Sequence, residues 1–250
     1  MKLTVLDEVT STNEVVKNAL REGKAEGLIV RARRQLSGYG RQGREWDSPE
    51  GGLYMSILLR PDVAGSGLAT LSLVVGLSVQ RALGQVAAPQ FEDGIQVKWP
   101  NDVIYMPADC ERADEYRKLC GISLEACGGG VCVGIGINVC QRREDFLPEL
   151  RETAASLSMI AGAEIDRAAL ETAFLEELEA LRRELPQETA ERRQEYRAAC
   201  LNLGRRVRVL RPGGEREALA VSLTPDYGLA VRYDDGTEEV LRSGEVSVRG

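Results

Sequence analysis

Apolar and polar residues alternate in short runs over the first part of the chain, a pattern that is typical of half-buried strands. The alternation predicts strands at residues 3–6, 28–33 and 52–59. Between the first two strands, Ser11 and Glu14 stand at the spacing of a capping box and predict a helix that runs to about residue 20. The apolar run at residues 68–86 is too long for a strand and predicts a buried helix.

Further strands and helices are predicted as far as residue 201. The predicted strands lie at residues 97–105, 119–125 and 131–139. The predicted helices lie at residues 170–185 and 188–201, and in the first of them apolar side chains recur at intervals of three and four. Pro100 interrupts the first of these strands, glycines 128–130 join the other two, and the charged stretch 106–118 predicts an exposed loop.

After Gly204 the pattern changes to short strands separated by turns rich in glycine, proline and aspartate. The change predicts two domains, a larger one at residues 1–202 and a small all-β one at residues 203–250. A unit of roughly 45 residues buries too little apolar surface to be stable alone, so we expect it to pack on the larger domain. The combination of strands and helices predicts an α+β fold with a mixed β-sheet.

The composition is that of an ordinary globular protein, with 250 residues of which 43% are apolar and 28% charged. A net charge of −7 argues against a general nucleic-acid-binding protein, and we expect neither DNA nor a membrane as a partner. The chain starts directly on the first predicted strand, without a signal-peptide core or a helix-turn-helix. We therefore expect a cytoplasmic protein.

The chain contains no histidine, which excludes every Ser-His-Asp and Cys-His mechanism. Its six cysteines form no C-x-x-C pair, so they predict reduced thiols rather than a zinc site. Any acid–base or charge chemistry must then come from lysine, arginine, aspartate, glutamate or tyrosine.

The most unusual stretch is G-Y-G-R-Q-G-R-E-W at residues 38–46, which we call the glycine-arginine loop. Its glycines let the backbone approach a ligand, and Arg41 and Arg44 carry the planar donor groups that suit phosphate or carboxylate. Trp46 offers a flat face on which a base can stack. The loop matches neither a Walker A loop nor a Rossmann G-x-G-x-x-G, and a plain surface loop remains the alternative.

Three further blocks carry candidate chemistry. Lys98 lies in K-W-P-N-D at residues 98–102, where it could stabilise a developing negative charge or be a solvated strand residue, and Asp102 could pair with a cation or be a turn carboxylate. The G-I-G-I-N block ends at Asn138, and its glycines indicate either a ligand or tight sheet packing. S-T-N at residues 11–13 combines an N-cap with groups that could bind a polar ligand.

Taken together, these blocks resemble the biotin protein ligase family. The family pattern is S-T-N, G-R-G-R-x-G-R-x-W, K-W-P-N-D, G-I-x-x-E and G-I-G-I-N, in this order. Its counterparts here lie at residues 11–13, 38–46, 98–102, 121–125 and 134–138. The resemblance extends over essentially the whole chain, since the C-terminal β module is similar to the family's small domain.

The resemblance implies a catalytic domain like that of class II synthetases and a small C-terminal SH3-like β-barrel. It implies that biotin and MgATP give biotinyl-5′-adenylate, and that a lysine of a biotin carboxyl carrier domain, such as that of acetyl-CoA carboxylase, then accepts the biotin. The implied ligands are ATP, Mg²⁺ and biotin, with no side-chain motif for the metal. Monomer and homodimer both remain open.

The resemblance also implies a role for individual residues. Lys98 and Arg41 are the implied catalytic residues, which stabilise charge on the biotin carboxylate and the α-phosphate. The implied biotin-binding residues are Ser11, Thr12, Asn13, Gln35, Gly38, Tyr39, Gly40, Arg41, Lys98 and Gly121. The implied ATP-binding residues are Arg41, Arg44, Trp46, Asn101, Lys118 and Asn138.

The chain departs from the family pattern at Tyr39, where the family has an arginine, so the role of that arginine cannot be transferred to it. The loop at residues 106–118 is also longer than the family's turn. By resemblance the glycine-arginine loop folds over the adenylate and keeps water away. Two alternatives remain, a lipoate–protein ligase or octanoyltransferase and a non-catalytic biotin or nucleotide sensor.

Overall fold

The fold is seen in a computed structural model, which describes residues 1–61, 67–87, 91, 94–107, 115–183, 190–211, 214–242 and 245–248. The larger sheet has seven strands. They are β1 (Lys2–Val9), β2 (Leu28–Gln35), β3 (Leu53–Leu59), β4 (Ile95–Lys98), β5 (Asp102–Tyr105), β6 (Arg117–Cys127) and β7 (Gly130–Ile137). Their order is β1-β2-β3-β7-β6-β5-β4, with β1 and β2 parallel and the other neighbours antiparallel.

Helices cover both faces of this sheet. The described helices are α1 (Thr12–Arg21), α2 (Gly67–Val86), α3 (Leu157–Ala161), α4 (Arg167–Arg183) and α5 (Ala190–Ala199). On one face, Val16 and Leu20 of α1 pack against Val30 and Leu58 of the sheet. On the other face, α2 and α4 cover the main core. Every residue of β3 is buried because this strand lies between the two layers. The mixed sheet between helices confirms the predicted α+β fold.

The predicted strand at residues 97–105 is wrong in one respect, since the structure has a hairpin there. β4 and β5 are two antiparallel strands, with Lys98 opposite Asp102. Proline cannot donate to a ladder and has a fixed φ, so the chain turns at Pro100 instead of continuing. The turn brings the two charged ends of the K-W-P-N-D block side by side.

The capping box predicted from Ser11 and Glu14 is also wrong. Ser11 holds the N-cap position of α1 with extended backbone angles, but its side chain makes no capping hydrogen bond. The Glu14 carboxylate instead binds Lys17 and Tyr39. The helix itself is confirmed, as are the predicted strands at residues 3–6, 28–33 and 52–59 and the glycine-linked pair β6–β7.

Several predicted features lie partly outside the described residues. These are residues 108–114 of the predicted loop, the end of the helix predicted at 170–185 and the turn before β9. The loop predicted at residues 106–118 ends earlier than expected, because β6 begins at Arg117. The short helix α3 has no counterpart in the predictions, since its five residues are too few to show a periodic pattern. None of the described helices has the length and apolar composition needed to cross a membrane.

A second, five-stranded sheet follows the helices. Its strands are β8 (Arg206–Arg211), β9 (Gly214–Leu223), β10 (Leu229–Tyr233), β11 (Glu238–Leu241) and β12 (Glu245–Val248). Their order, β11-β10-β9-β8-β12, is antiparallel throughout, as expected for an SH3-like module. Its buried side chains belong to the same apolar cluster as those of the larger sheet, which confirms that the module packs on the rest of the chain.

Trp99 and Asn202 join the two sheets. The backbone N–H of Trp99 donates to Oδ1 of Asn202 at 2.8 Å, and the Trp99 indole N–H donates to the carbonyl of Tyr227 at 3.1 Å. Trp99 is 2% exposed and Asn202 is fully buried. Trp99 of the K-W-P-N-D block is thus a structural residue that connects the two sheets.

Replacing Asn202 by alanine is expected to lower the free energy of unfolding by about 1–3 kcal/mol, because the buried N–H of Trp99 would lose its acceptor. Urea unfolding followed by circular dichroism measures the change. The matched control is Asn18→Ala, which removes an exposed acceptor of Arg21 at 2.7 Å and is expected to change stability by less than about 0.5 kcal/mol. An unchanged unfolding midpoint for Asn202→Ala would show that this bond does not stabilise the junction.

Candidate functional site

A cavity of about 300 Å³ opens on the α1 side of the larger sheet. Its walls come from the start of α1, the glycine-arginine loop, the β4–β5 turn and the facing strands β6 and β7. The small sheet contributes Leu210, Val246 and Ser247 to its rim. The cavity thus collects residues from all five sequence blocks, which are far apart along the chain.

The glycine-arginine loop is folded over this cavity. Tyr39 and Glu45 form an antiparallel bridge, the N–H of Gly40 donates to the carbonyl of Arg44 at 2.8 Å, and the N–H of Trp46 donates to the carbonyl of Gly38 at 2.9 Å. At its tip Gln42 and Gly43 adopt φ values of 59° and 71°.

Gly38 is a glycine for a steric reason rather than a conformational one. A Cβ on this residue would lie 2.5 Å from Oγ of Ser48 and 2.7 Å from the carbonyl oxygen of Trp46. The first glycine of the loop is therefore required for space, and its φ is not positive.

Trp46 lies flat on two glycines of the sheet. A Cβ on Gly121 would come within 2.7 Å of the indole ring, and a Cβ on Gly136 within 2.4 Å of its Nε1. Gly121 and Gly136 are neighbours in the β6–β7 ladder, so together they form a flat seat. The glycines of the G-I-G-I-N block are therefore explained by close approach of side chains of the protein itself.

One end of the cavity is neutral and rich in hydrogen-bonding groups. The Ser56 hydroxyl donates to Asn13 Oδ1 at 2.6 Å and lies 2.7 Å from Thr12 Oγ1, and Asn13 Nδ2 donates to Ser123 Oγ at 3.2 Å. Gln35 Oε1 accepts from the backbone N–H of Thr12 at 2.8 Å. All of these side chains are uncharged, so this end suits a polar group without net charge.

The other end is cationic. Lys98 is only 9% exposed, which contradicts the interpretation of a solvated strand residue. Asp102 is confirmed as a partner of cations, since its carboxylate lies 2.8 Å from Nζ of Lys118 and 3.8 Å from Nζ of Lys98. Arg41 donates to Asn101 Oδ1 at 2.9 Å and, with Arg44, lines the same end. Burial lowers the pKa of Arg41, and the charge of Asp102 partly offsets this shift.

Strand β6 runs from the cationic end of the cavity to its neutral end. Lys118, Gly121 and Ser123 follow one another along the strand and all line the cavity. Lys118 and Ser123 are five residues apart, which corresponds to roughly 17 Å along a strand. The cavity therefore changes, within the length of a small molecule, from cations past the apolar face of the Trp46 indole to neutral donors and acceptors.

Tyr39 points away from the cationic end. Its hydroxyl donates to Glu14 of α1 at 2.6 Å, and Nζ of Lys17 lies 5.2 Å from its ring centre. Lys17 is 2.7 Å from Glu14 and 2.9 Å from Glu125 of β6. The hydrogen bond from Lys17 lowers the pKa of Glu14, while desolvation raises the pKa of Tyr39.

Most of the residues predicted for the site do line the cavity. They are Thr12, Asn13, Gln35, Tyr39, Gly40, Arg41, Arg44, Trp46, Lys98, Asn101, Lys118 and Gly121. Ser11, Gly38 and Asn138 are not among the lining residues, and the Asn138 amide is occupied by the carbonyl of Lys118 and by Gln141. The ligand contacts of all the predicted site residues stay predictions.

Three residues of the site or its surroundings were not predicted as site residues from the sequence: Ser56, Ser123 and Tyr116. Ser56 is the polar residue in an otherwise apolar alternation, a signal that could have found it. Ser123 stands within the G-I-x-x-E block, but only the structure brings it to Asn13. Nζ of Lys98 lies 5.5 Å from the ring centre of Tyr116, which belonged to a predicted loop.

The sequence model of the biotin/lipoate A/B protein ligase family matches residues 5–140. A biotin–[acetyl-CoA-carboxylase] ligase of Mycobacterium tuberculosis is 31% identical over 98% of this chain and 88% of its own length. The bifunctional ligase/repressor BirA of Bacillus subtilis is 35% identical over 65% of this chain, and the match spans about half, 48%, of the relative's length.

Solved structures show the same likeness over the full chain. The biotin protein ligase of Aquifex aeolicus in complex with biotin and ATP superposes with a TM-score of 0.82 at 33% identity, covering 99% of this chain and 98% of that one. The Leishmania major biotin protein ligase in complex with biotinyl-5-AMP superposes with a TM-score of 0.64 at 27% identity, covering 96% of this chain and 98% of that one.

Proposed function

Since the chain belongs to the biotin/lipoate A/B protein ligase family, we propose that it activates biotin with ATP and transfers it to a lysine of a biotin carboxyl carrier domain. In the first step a biotin carboxylate oxygen attacks the α-phosphorus of ATP and pyrophosphate leaves. In the second step the carrier lysine attacks the acyl carbon and AMP leaves. The carrier of acetyl-CoA carboxylase is the expected acceptor.

The observation that carries this proposal is the change from cationic to neutral along β6. Biotin has the matching order of groups, a carboxylate at one end and a neutral ureido ring with two N–H donors and one carbonyl at the other. The Thr12, Asn13 and Ser123 side chains supply donors and acceptors for the ureido group. The Trp46 indole, which lines the cavity between the two ends, offers an apolar face to the alkyl chain.

The same observation favours biotin over lipoate. A lipoyl head is a dithiolane ring without N–H donors, so it would make none of the hydrogen bonds that the Thr12, Asn13 and Ser123 side chains offer to a ureido group. Sites built for hydrogen bonding reject analogues that lack the matching group, because unpaired buried polar atoms are costly. The neutral end therefore supports biotin ligation rather than lipoate ligation or octanoyl transfer.

We assign Lys98 and Arg41 to the reacting groups. Both carry a positive charge in a partly buried setting, where such a charge stabilises the negative charge of a carboxylate approaching a phosphate. Lys118, Arg44 and Asn101 stand beside them, where the nucleotide phosphates are expected. The Trp46 indole offers an aromatic face to the alkyl chain of biotin and to the adenine.

Mg²⁺ accompanies ATP in this proposal. Among the described residues no group of three or more histidine, cysteine, aspartate or glutamate side chains could hold a metal ion, and Asp102 is already paired with lysines. This fits an ion carried mainly by the phosphates, as is common for Mg²⁺. When bound, the ion neutralises charge on the phosphates, while the lysines and arginines of the chain orient them.

The decisive test supplies MgATP, an apo biotin carboxyl carrier domain, and either labelled biotin or labelled lipoate. We expect label in the carrier from biotin, dependent on ATP, and none from lipoate. Mass spectrometry of the carrier locates the modified lysine. Label from lipoate alone would establish the alternative ligase, and biotin binding without any adenylate or carrier product would establish a sensor.

A further inference from the structure

Four side chains tie the glycine-arginine loop to the body of the protein. Tyr39 of the loop donates to Glu14 at 2.6 Å, Lys17 lies 2.7 Å from Glu14, and Lys17 also lies 2.9 Å from Glu125. We call Tyr39, Glu14, Lys17 and Glu125 the loop latch. It connects three separate elements, the loop, α1 and β6, through one continuous set of charge-assisted contacts.

The proposed chemistry does not require this arrangement. A tyrosine is neutral, and the Tyr39 hydroxyl is engaged by Glu14 instead of facing Lys98 or Arg41. Glu14 is also half exposed, with 45% of its side chain accessible, so it is not needed to fill the core. The latch therefore calls for an explanation other than phosphate binding or packing.

The position of Tyr39 in the loop provides an explanation for the latch. Tyr39 pairs with Glu45 across the base of the loop, next to the Gly40–Arg44 hydrogen bond. Arg41 and Arg44 lie between these two strands of the loop, and Trp46 follows directly. Holding Tyr39 on α1 consequently holds the arm that presents both arginines to the cavity.

We propose that Tyr39 is a positioning residue, which fastens the glycine-arginine loop to α1 through Glu14 and so slows the escape of the acyl adenylate. The inference rests on the proposed function for the identity of the retained intermediate. The latch itself consists of contacts within the chain and does not depend on the proposed function. A loop that opens less often releases a bound intermediate less often, because release requires the opening.

Hydrogen exchange in the ligand-free protein tests the latch itself. In Tyr39→Phe and in Glu14→Ala, the amides of Gly40 and Trp46 are expected to exchange about tenfold faster, as the loss of one hydrogen bond to a charged group implies. The double variant should exchange no faster than Glu14→Ala, since that variant already removes the Tyr39–Glu14 bond. Lys17 keeps Glu125 as its partner in all three variants, so no buried charge is left alone.

Tyr233→Phe is the matched control. Tyr233 donates to Glu239 at 2.6 Å, the same kind of bond at the same length, but in the small sheet. We expect this variant to leave loop exchange unchanged. If Glu14→Ala does not fold, Tyr39→Phe with this control still decides the question.

The release rate of the adenylate tests the functional half. Protein loaded with biotinyl adenylate is diluted into excess unlabelled ligand, and the loss of label is followed. We expect about tenfold faster release in Tyr39→Phe and in Glu14→Ala, again without additivity. Unchanged release, or an effect of Tyr39→Phe that persists in full when Glu14 is already alanine, would overturn the proposal, the latter because Tyr39 would then act by touching the ligand.

The two measurements also separate the latch from the function. If the wild-type protein forms no adenylate, the proposed function fails, and loop exchange alone decides whether Tyr39 fastens the loop. If exchange at Gly40 and Trp46 is the same in wild type and Tyr39→Phe, the latch fails even though the protein ligates biotin.

Discussion

Replacing Lys98 by alanine is expected to slow formation of biotinyl adenylate by at least about tenfold, which corresponds to about 1.4 kcal/mol of activation free energy. The physical reason is the position of Lys98, a residue that is 9% exposed and lines the cationic end of the cavity. A charge that is shielded from water interacts more strongly with the reacting carboxylate and phosphate than an exposed one. Pyrophosphate release in a single turnover measures the rate.

The fold is expected to tolerate this change. Asp102 retains Lys118 at 2.8 Å when Lys98 is removed, so the buried carboxylate keeps a partner. Lys24→Ala serves as the control, because its side chain is 62% exposed and paired only with Glu22 among the described residues. An adenylation rate equal to wild type in Lys98→Ala, with normal unfolding, would refute the role assigned to Lys98.

The part of the site that could be predicted from sequence is the part built from local blocks. The K-W-P-N-D block identifies Lys98 and Asp102 because a lysine, an asparagine and an aspartate around a proline do not fit a core strand. The glycine-arginine loop is recognisable because glycine and arginine rarely alternate for packing reasons. Strands and helices with clear apolar periods also lie where they were expected.

The part that could not be predicted depends on contacts between distant segments. Ser123 is a binding candidate only because β6 brings it to Asn13, a separation of 110 residues. The local pattern around Pro100 does not distinguish a broken strand from a hairpin, since both need a proline at the same place. Ser11 and Glu14 have the spacing of a capping box, but Glu14 is engaged by Lys17 in the same helix and by Tyr39 of the glycine-arginine loop.

The glycines show how the two kinds of information combine. G-I-G-I-N predicts a close approach, and the sequence leaves open whether a ligand or the protein itself makes it. In the structure, side chains of the protein make the approach, Asn13 at Gly134 and Trp46 at Gly136. These two side chains form walls of the cavity, so the glycines shape the binding site without having to touch the ligand.

Replacing Gly134 by alanine is therefore expected to weaken biotin binding by about 100-fold, or about 3 kcal/mol. The new Cβ would lie 2.3 Å from Oδ1 and 2.8 Å from Nδ2 of Asn13, and 2.5 Å from Oγ of Ser123. The Asn13 side chain cannot withdraw freely, because Ser56 donates to Asn13 at 2.6 Å and Asn13 donates to Glu125 at 3.1 Å. Displacement breaks several hydrogen bonds of the neutral end, where the ureido ring is expected.

Isothermal titration with biotin measures this loss, and Gly76→Ala is its matched control. Gly76 is a buried helical glycine whose added Cβ would meet only Val97 at 3.7 Å and Ile122 at 3.9 Å, which are ordinary contacts. That control is expected to keep biotin affinity and to gain about 0.5–1 kcal/mol of stability, since alanine favours the helix. If Gly134→Ala binds biotin as tightly as Gly76→Ala does, the neutral end of the cavity is not where biotin's ureido ring is held.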